Sequence, residues 1–150
     1  MRRRIATSVI LAVVGCLLTA CGGKFEIDAC AGFTNYVHGS HHVGGRMNAV
    51  AAPTCNKAIY RVDVFASLEK RVGGTWVTVS GSPAGQAFYN VKPGRKLTVS
   101  TSAPCASGYY RMKATVKVLS RKGASLQLSN PAYSAKMTRD PCGDQQYLDY

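Results

Sequence analysis

The chain has 150 residues, with 19 Lys and Arg against seven Asp and Glu, a formal net charge of +12, and a 46% hydrophobic content. That length suits one domain, and a domain of this size buries about two thirds of its unfolded surface, which excludes a mini-protein held by disulfides alone. The positive balance favours anionic partners such as phospholipid headgroups, phosphate-bearing polymers or acidic proteins, without naming one.

The chain opens on Met1-Arg2-Arg3-Arg4, followed by a nearly uncharged run of 16 residues from Ile5 to Ala20. A cationic patch before an apolar run is the layout of an export signal. As a helix the run would reach about 24 Å, short of the roughly 30 Å hydrocarbon core, so a processed signal over residues 1–20 is preferred to a permanent span. The run closes on Leu18-Thr19-Ala20-Cys21, which resembles the bacterial lipobox. The resemblance covers only the leader and these four residues. It implies lipidation of the Cys21 thiol, cleavage just before it, and a protein anchored on the extracytoplasmic face of the cell membrane. Val13-Val14-Gly15-Cys16 fits the same pattern, and cleavage after Gly22 would give a secreted protein instead. Setting Cys16 and Cys21 aside leaves Cys30, Cys55, Cys105 and Cys142, an even set suited to disulfides in an exported chain. Parity favours Cys21 over Cys16 but leaves cleavage after Gly22 open.

Without residues 1–20 the chain keeps 130 residues and a charge of 16 minus 7, or +9. An exported chain of this kind does not point to nucleic acid. Residues 21–45 are expected to form a lipid-anchored tether, Gly22 to about Asp28, and then an irregular segment. That segment holds the three histidines, His38, His41 and His42, whose clustering is the one arrangement suggesting zinc or copper. Gly39 between them argues for an exposed polar loop instead.

From Ile59 to Leu68 the chain alternates, with Tyr60, Val62, Val64, Ala66 and Leu68 on one side and Arg61, Asp63, Ser67 and Glu69 on the other; Phe65 is the exception. Tyr110, Met112, Ala114, Val116 and Val118 alternate with Arg111, Lys113, Thr115 and Lys117 in the same way. Period two is the signature of a half-buried strand. Shorter strands are expected over 46–52, 75–80, 86–91, 96–101 and 125–136, the last interrupted by Asn130-Pro131. Gly73-Gly74, Gly81-Ser82-Pro83, Pro93-Gly94 and Lys122-Gly123 supply the turns. Seven short strands at this spacing predict an all-β, immunoglobulin-like antiparallel β-sandwich over 46–142, ending in a polar tail over 143–150. On that scaffold Cys55, Cys105 and Cys142 are expected at one pole. Adjacency of the last two strands prefers Cys105 with Cys142, leaving Cys30 with Cys55, although sequence alone permits three pairings. Gly73-Gly74-Thr75-Trp76 and Cys105-Ala106-Ser107-Gly108-Tyr109-Tyr110-Arg111 resemble a pattern in small secreted proteins of high-GC Gram-positive bacteria, over roughly 46–142. This resemblance implies no activity.

Arg111, Lys113 and Lys117, with the nearby Arg121-Lys122 turn, should form a basic stripe on one sheet face, a candidate for docking to an anionic surface. The chain has no Gly-x-Ser-x-Gly elbow, no paired-carboxylate motif, no phosphate-cradling loop before a helix and no Cys-x-x-Cys. No catalytic residue or cofactor is therefore nominated. The expected function is a non-enzymatic envelope lipoprotein that binds a protein or an anionic polymer. The alternatives are a prophage-type surface-exclusion lipoprotein and a metal-binding protein using the histidine cluster.

Overall fold

A computed structural model describes residues 23–128 and 130–150; the expected signal segment 1–20, with Cys16, and Cys21 lie outside the described residues. Short strands β1 (Lys24–Ile27), β2 (Cys30–Phe33), β3 (His38–Gly39), β4 (Arg46–Ala51) and β5 (Thr54–Cys55) lead into the long β6 (Ile59–Val72). After it come β7 (Thr75–Thr78), β8 (Ala84–Val91), β9 (Val99–Pro104) and the long β10 (Tyr109–Leu119). The chain closes with β11 (Ser125–Gln127), β12 (Ala132–Tyr133), β13 (Met137–Arg139) and β14 (Gln146–Leu148).

These pieces assemble into two layers. In the first, β2 and β3 act as one broken strand against β4 and β5: Cys30 faces Cys55, Thr34 faces Ala51 and His38 faces Asn48. β1 flanks β2, and β9 flanks β4. In the second layer β6 is central, with β10 on one side and β7 and β8 on the other. β11, β12 and β13 all pair with the far edge of β10, and β14 extends β13. The result is an immunoglobulin-like antiparallel sandwich of seven principal strands, with β1 and β14 as additions.

Alternation builds the core between the layers. Val62, Val64, Ala66 and Leu68 from β6 and Met112, Ala114, Val116 and Val118 from β10 point inward, against Met47, Ala49 and Ala51 from β4 with Val37 and Leu97. Each large apolar side chain buried this way contributes about 1.5 to 3 kcal/mol. Tyr60 does not join them, contrary to its place in the alternation: it is 44% exposed, with its ring edge-on to Tyr89. The inward set slips between Ile59 and Val62, both buried, and the facing strand slips with it between Phe88 and Val91. Asn90, at φ 48°, absorbs that slip.

The predicted strands 75–80 and 86–91 are two halves of one edge. Both run antiparallel to β6, so no reversal separates them. The crook between them buries Ser82, whose hydroxyl accepts from the Leu68 amide at 3.0 Å and donates to the Leu68 carbonyl at 3.3 Å. Ser82→Ala leaves the Leu68 amide unpaired, while the Leu68 carbonyl keeps the Val79 amide at 2.8 Å, and is expected to destabilise the fold by about 1 to 3 kcal/mol, read as a lower urea midpoint with unchanged slope.

Losing one reversal also corrects the disulfide poles. Cys55 sits beside the start of β9, where Thr54 bridges Lys96, while Cys105 follows the end of β9. The two therefore lie at opposite ends of the sandwich. The pairing itself is as the sequence preferred: Cys30 with Cys55, which are directly opposed residues, and Cys105 with Cys142, whose Cα atoms are 5.9 Å apart. Two such bridges are those of an extracytoplasmic or secreted protein. Among the described residues no helix is long and apolar enough to cross a membrane.

From Gly23 onward the segment expected to begin as a tether is built into the fold. Strand pairing begins at Lys24, and Gly23 is already buried, its carbonyl accepting the Thr34 amide at 2.7 Å. A Cβ on Gly23, at φ 90°, would lie 3.0 Å from the Ala135 nitrogen, so the packing there requires glycine. The C-terminal tail is also structured: β14 pairs with β13, and Tyr150 returns to the sandwich.

Candidate functional site: the outer face of the large sheet

Arg111, Lys113 and Lys117 share the outer face of β10, as the alternation requires. Their cross-strand neighbours on β6 are Glu69, Ser67 and Asp63, and this register changes the meaning of the stripe. Arg111 Nε donates to Glu69 Oε2 at 2.7 Å, and Lys113 Nζ lies 3.5 Å from Glu69 Oε1. Asp63, opposite Lys117, accepts from Arg61 Nε at 2.7 Å. Four cations thus face two carboxylates, and the surface is mixed in charge rather than a bare basic strip. Arg121 and Lys122 are exposed in the turn after β10 and form no ion pair among the described residues.

The Arg111 guanidinium is held more tightly than a surface cation. It lies 3.9 Å from the Tyr133 ring centroid, 4.4 Å from that of Trp76 and 5.9 Å from that of Tyr150. β7, β12 and the chain end after β14 deliver these three rings, none adjacent to Arg111 in sequence. Stacking of this kind is worth about 0.5 to 2 kcal/mol per ring, rising as water is excluded. The Glu69 side chain beneath is only 6% exposed, so the pair fixes Arg111 and, through it, the edge of the face. Glu69, Trp76, Tyr133 and Tyr150 are the site residues that sequence reasoning missed. Only Glu69 carried a signal, standing on the polar side of β6 as Arg111 does on β10.

Tyr150 closes the group. Its hydroxyl donates to the Ser134 carbonyl at 2.9 Å and lies 3.3 Å from Ser134 Oγ. Partial burial of its phenol raises its pKa above the usual 10.0, against the lowering effects of the Ser134 bond and the Arg111 charge. The folded state therefore prefers the neutral phenol. Its contribution to stability is complete below pH 10.0 and is lost as pH rises through the raised value. In a phenolate absorbance titration, one step of the wild type should come later than free tyrosine and be missing in Tyr150→Phe.

Along the same face Phe65 is 54% exposed. Gly85 lies opposite it, and a Cβ there would stand 2.7 Å from the ring, so glycine leaves room for the ring to lie flat across the neighbouring strand. Beside Phe65 is a shallow cleft of about 210 Å³, lined also by Ser67, Thr78, Pro83, Lys113 and Thr115. A second cleft, of about 330 Å³, runs from Arg111 and Tyr150 to Gly23 and Lys24. A third cleft, of about 490 Å³, lies against the Cys30–Cys55 bridge and carries Glu26 and Asp28 without a histidine, lysine or arginine in its lining.

The histidines do not converge. His38 and His41 ring centroids are 6.0 Å apart, and His38 Nδ1 is engaged 3.0 Å from the Tyr36 carbonyl. Among the described residues no group of three His, Cys, Asp or Glu side chains is placed to hold a metal ion. Trp76, on the outer face against Arg111, does not occupy the inter-sheet core position that tryptophan takes in antibody domains. No protein-family model matches the chain, and no curated protein matches it.

Proposed function

We propose that the protein is a cell-envelope lipoprotein, anchored through Cys21, whose sandwich binds another envelope protein through the outer face of the large sheet without catalysing a reaction. The export signal, the Leu18-Thr19-Ala20-Cys21 junction and the two disulfides support the location. The observation that carries the binding role is Phe65, an aromatic ring more than half exposed in mid-sheet beside a cleft lined by Lys113. A central aromatic ring, a rigidly held arginine and a rim of both charges have the composition of a protein interface. An anionic polymer is the weaker partner here, because Glu69 and Asp63 already offset half of the cations it would meet.

Two measurements test the proposal. Intact-mass spectrometry of membrane-extracted protein should give a lipid-bearing chain beginning at Cys21, absent from a Cys21→Ala variant. A photo-crosslinking residue at position 65 should give a discrete protein adduct in intact cells, whereas one at Ser100, exposed on the other layer, should not. Unmodified wild type released to the medium removes the anchor. Equal crosslinking at the two positions removes the interface.

A further inference from the structure

The two clefts of the large sheet differ in what stands beside them. The one beside Phe65 opens on mid-sheet, whereas the 330 Å³ cleft has Gly23 in its wall, together with Lys24, Arg111, Tyr133, Ser134 and Tyr150. Gly23 is two residues after Cys21, and two residues reach about 7 Å at full extension. A lipid attached to Cys21 would therefore hold this cleft at the headgroup layer, because burial of Gly23 against Thr34 and Ala135 leaves no slack in the fold.

From this geometry we infer that the cleft binds the phosphate headgroup of an anionic phospholipid in the membrane that carries the anchor. The inference rests on lipidation of Cys21. The lining fits the ligand in three respects. Lys24 is exposed and forms no ion pair among the described residues, so its ammonium is free to meet a phosphate oxygen. Arg111 uses Nε for Glu69, and no hydrogen bond from its Nη atoms to protein is formed among the described residues, which leaves planar donors of the kind that recognise phosphate. Tyr133 and Tyr150 supply rings with polar tips, the side-chain type favoured at the level of headgroups. The charge of the lining is also positive: its two charged side chains are Lys24 and Arg111, the latter paired with Glu69, while Lys136 and Asp149 beside Tyr150 pair with each other. Burial of the headgroup would also account for the position of Tyr150, which is fixed to Ser134 at the cleft wall while remaining 58% exposed.

The sole tryptophan, Trp76, stacks on Arg111 and reports on the cleft by fluorescence. Mature protein, recovered from membranes or from the medium and held in non-ionic detergent, is titrated with dihexanoyl phosphatidylglycerol, dihexanoyl phosphatidylcholine and inorganic phosphate at equal ionic strength. A saturable change with phosphatidylglycerol alone is expected, weakened about tenfold by Lys24→Gln, whose exposed site spares the fold. A response to inorganic phosphate of equal strength makes the site one for free phosphate and overturns the lipid assignment. Equal responses to both lipids, or none to either, overturn the site. These outcomes are independent of the mass measurement, so loss of the anchor and loss of the headgroup site are told apart.

Discussion

Replacing Cys105 and Cys142 together by alanine is expected to cost the fold about 4 kcal/mol, and removing Cys30 and Cys55 about 3.5 kcal/mol. The figures follow from the sequence separations of 37 and 25 residues that the two bridges close, since a longer loop loses more freedom in the unfolded chain. The larger effect is assigned to Cys105–Cys142, which ties the turn before β10 to the segment after β13, so β13, β14 and the Tyr150 contact depend on it. At about 3 to 5 °C per kcal/mol for a domain of this size, each loss should lower Tm by roughly 10 to 20 °C. Calorimetry of the two double variants and of the reduced wild type checks this. A Cys105→Ala/Cys142→Ala protein within a few degrees of wild type would show that the C-terminal strands are held by pairing alone. The Trp76 signal should also change in this variant and not in Cys30→Ala/Cys55→Ala, because only the first releases Tyr150 from the Trp76 and Arg111 group.

Glu69→Ala is the second large effect. It strands the Arg111 guanidinium, 16% exposed and enclosed by three rings, without the carboxylate that offsets its charge. Breaking one side of a buried pair costs about 3 to 5 kcal/mol, and partial solvent access at Arg111 places this case near about 3. Glu69→Gln keeps an acceptor for Nε and should lose roughly half as much. The informative comparison is Glu69→Leu/Arg111→Met, which removes both charges at similar volume and should recover most of the stability. Urea unfolding of wild type, Glu69→Leu, Arg111→Met and the double variant yields the coupling energy. If the double variant is as unstable as the sum of its singles, the pair contributes nothing beyond packing. Lys113, shared with Glu69 at 3.5 Å and 35% exposed, should matter far less: Lys113→Ala is expected within about 0.5 kcal/mol of wild type.

Sequence made the centre of this fold visible and its edges obscure. β6 and β10 each bury one face and expose the other, so their period survives in the residue order, and the outer placement of Arg111, Lys113 and Lys117 follows from it. β1 to β3 were hidden because each is only two to four residues long and glycine, histidine and serine interrupt any period. β7 and β8 were visible as strands, but their common direction depends on the Ser82 crook, a tertiary contact with Leu68 that no local pattern records. That one direction displaced Cys55 to the opposite pole from Cys105 while leaving both pairings intact. The same limit applied to the site. Charge read along β10 gave a cationic stripe, whereas charge read across the sheet brings Glu69 and Asp63 into it, and cross-strand register is a property of the folded chain. Tyr150, 39 positions after Arg111, had no sequence signal at all.

The interrupted borders of the large sheet have a consequence under the proposed attachment to a membrane. One border is split into β7 and β8 at the crook before Ala84, where Pro83 offers no amide, and the other is divided among β11, β12 and β14. Neither presents the long unpaired row of backbone groups on which a second copy could build a continuous sheet. Confinement to two dimensions raises the encounter rate between neighbours far above that of the same number of molecules in bulk. A fold with broken borders can be crowded on a surface in this way and remain a population of separate molecules.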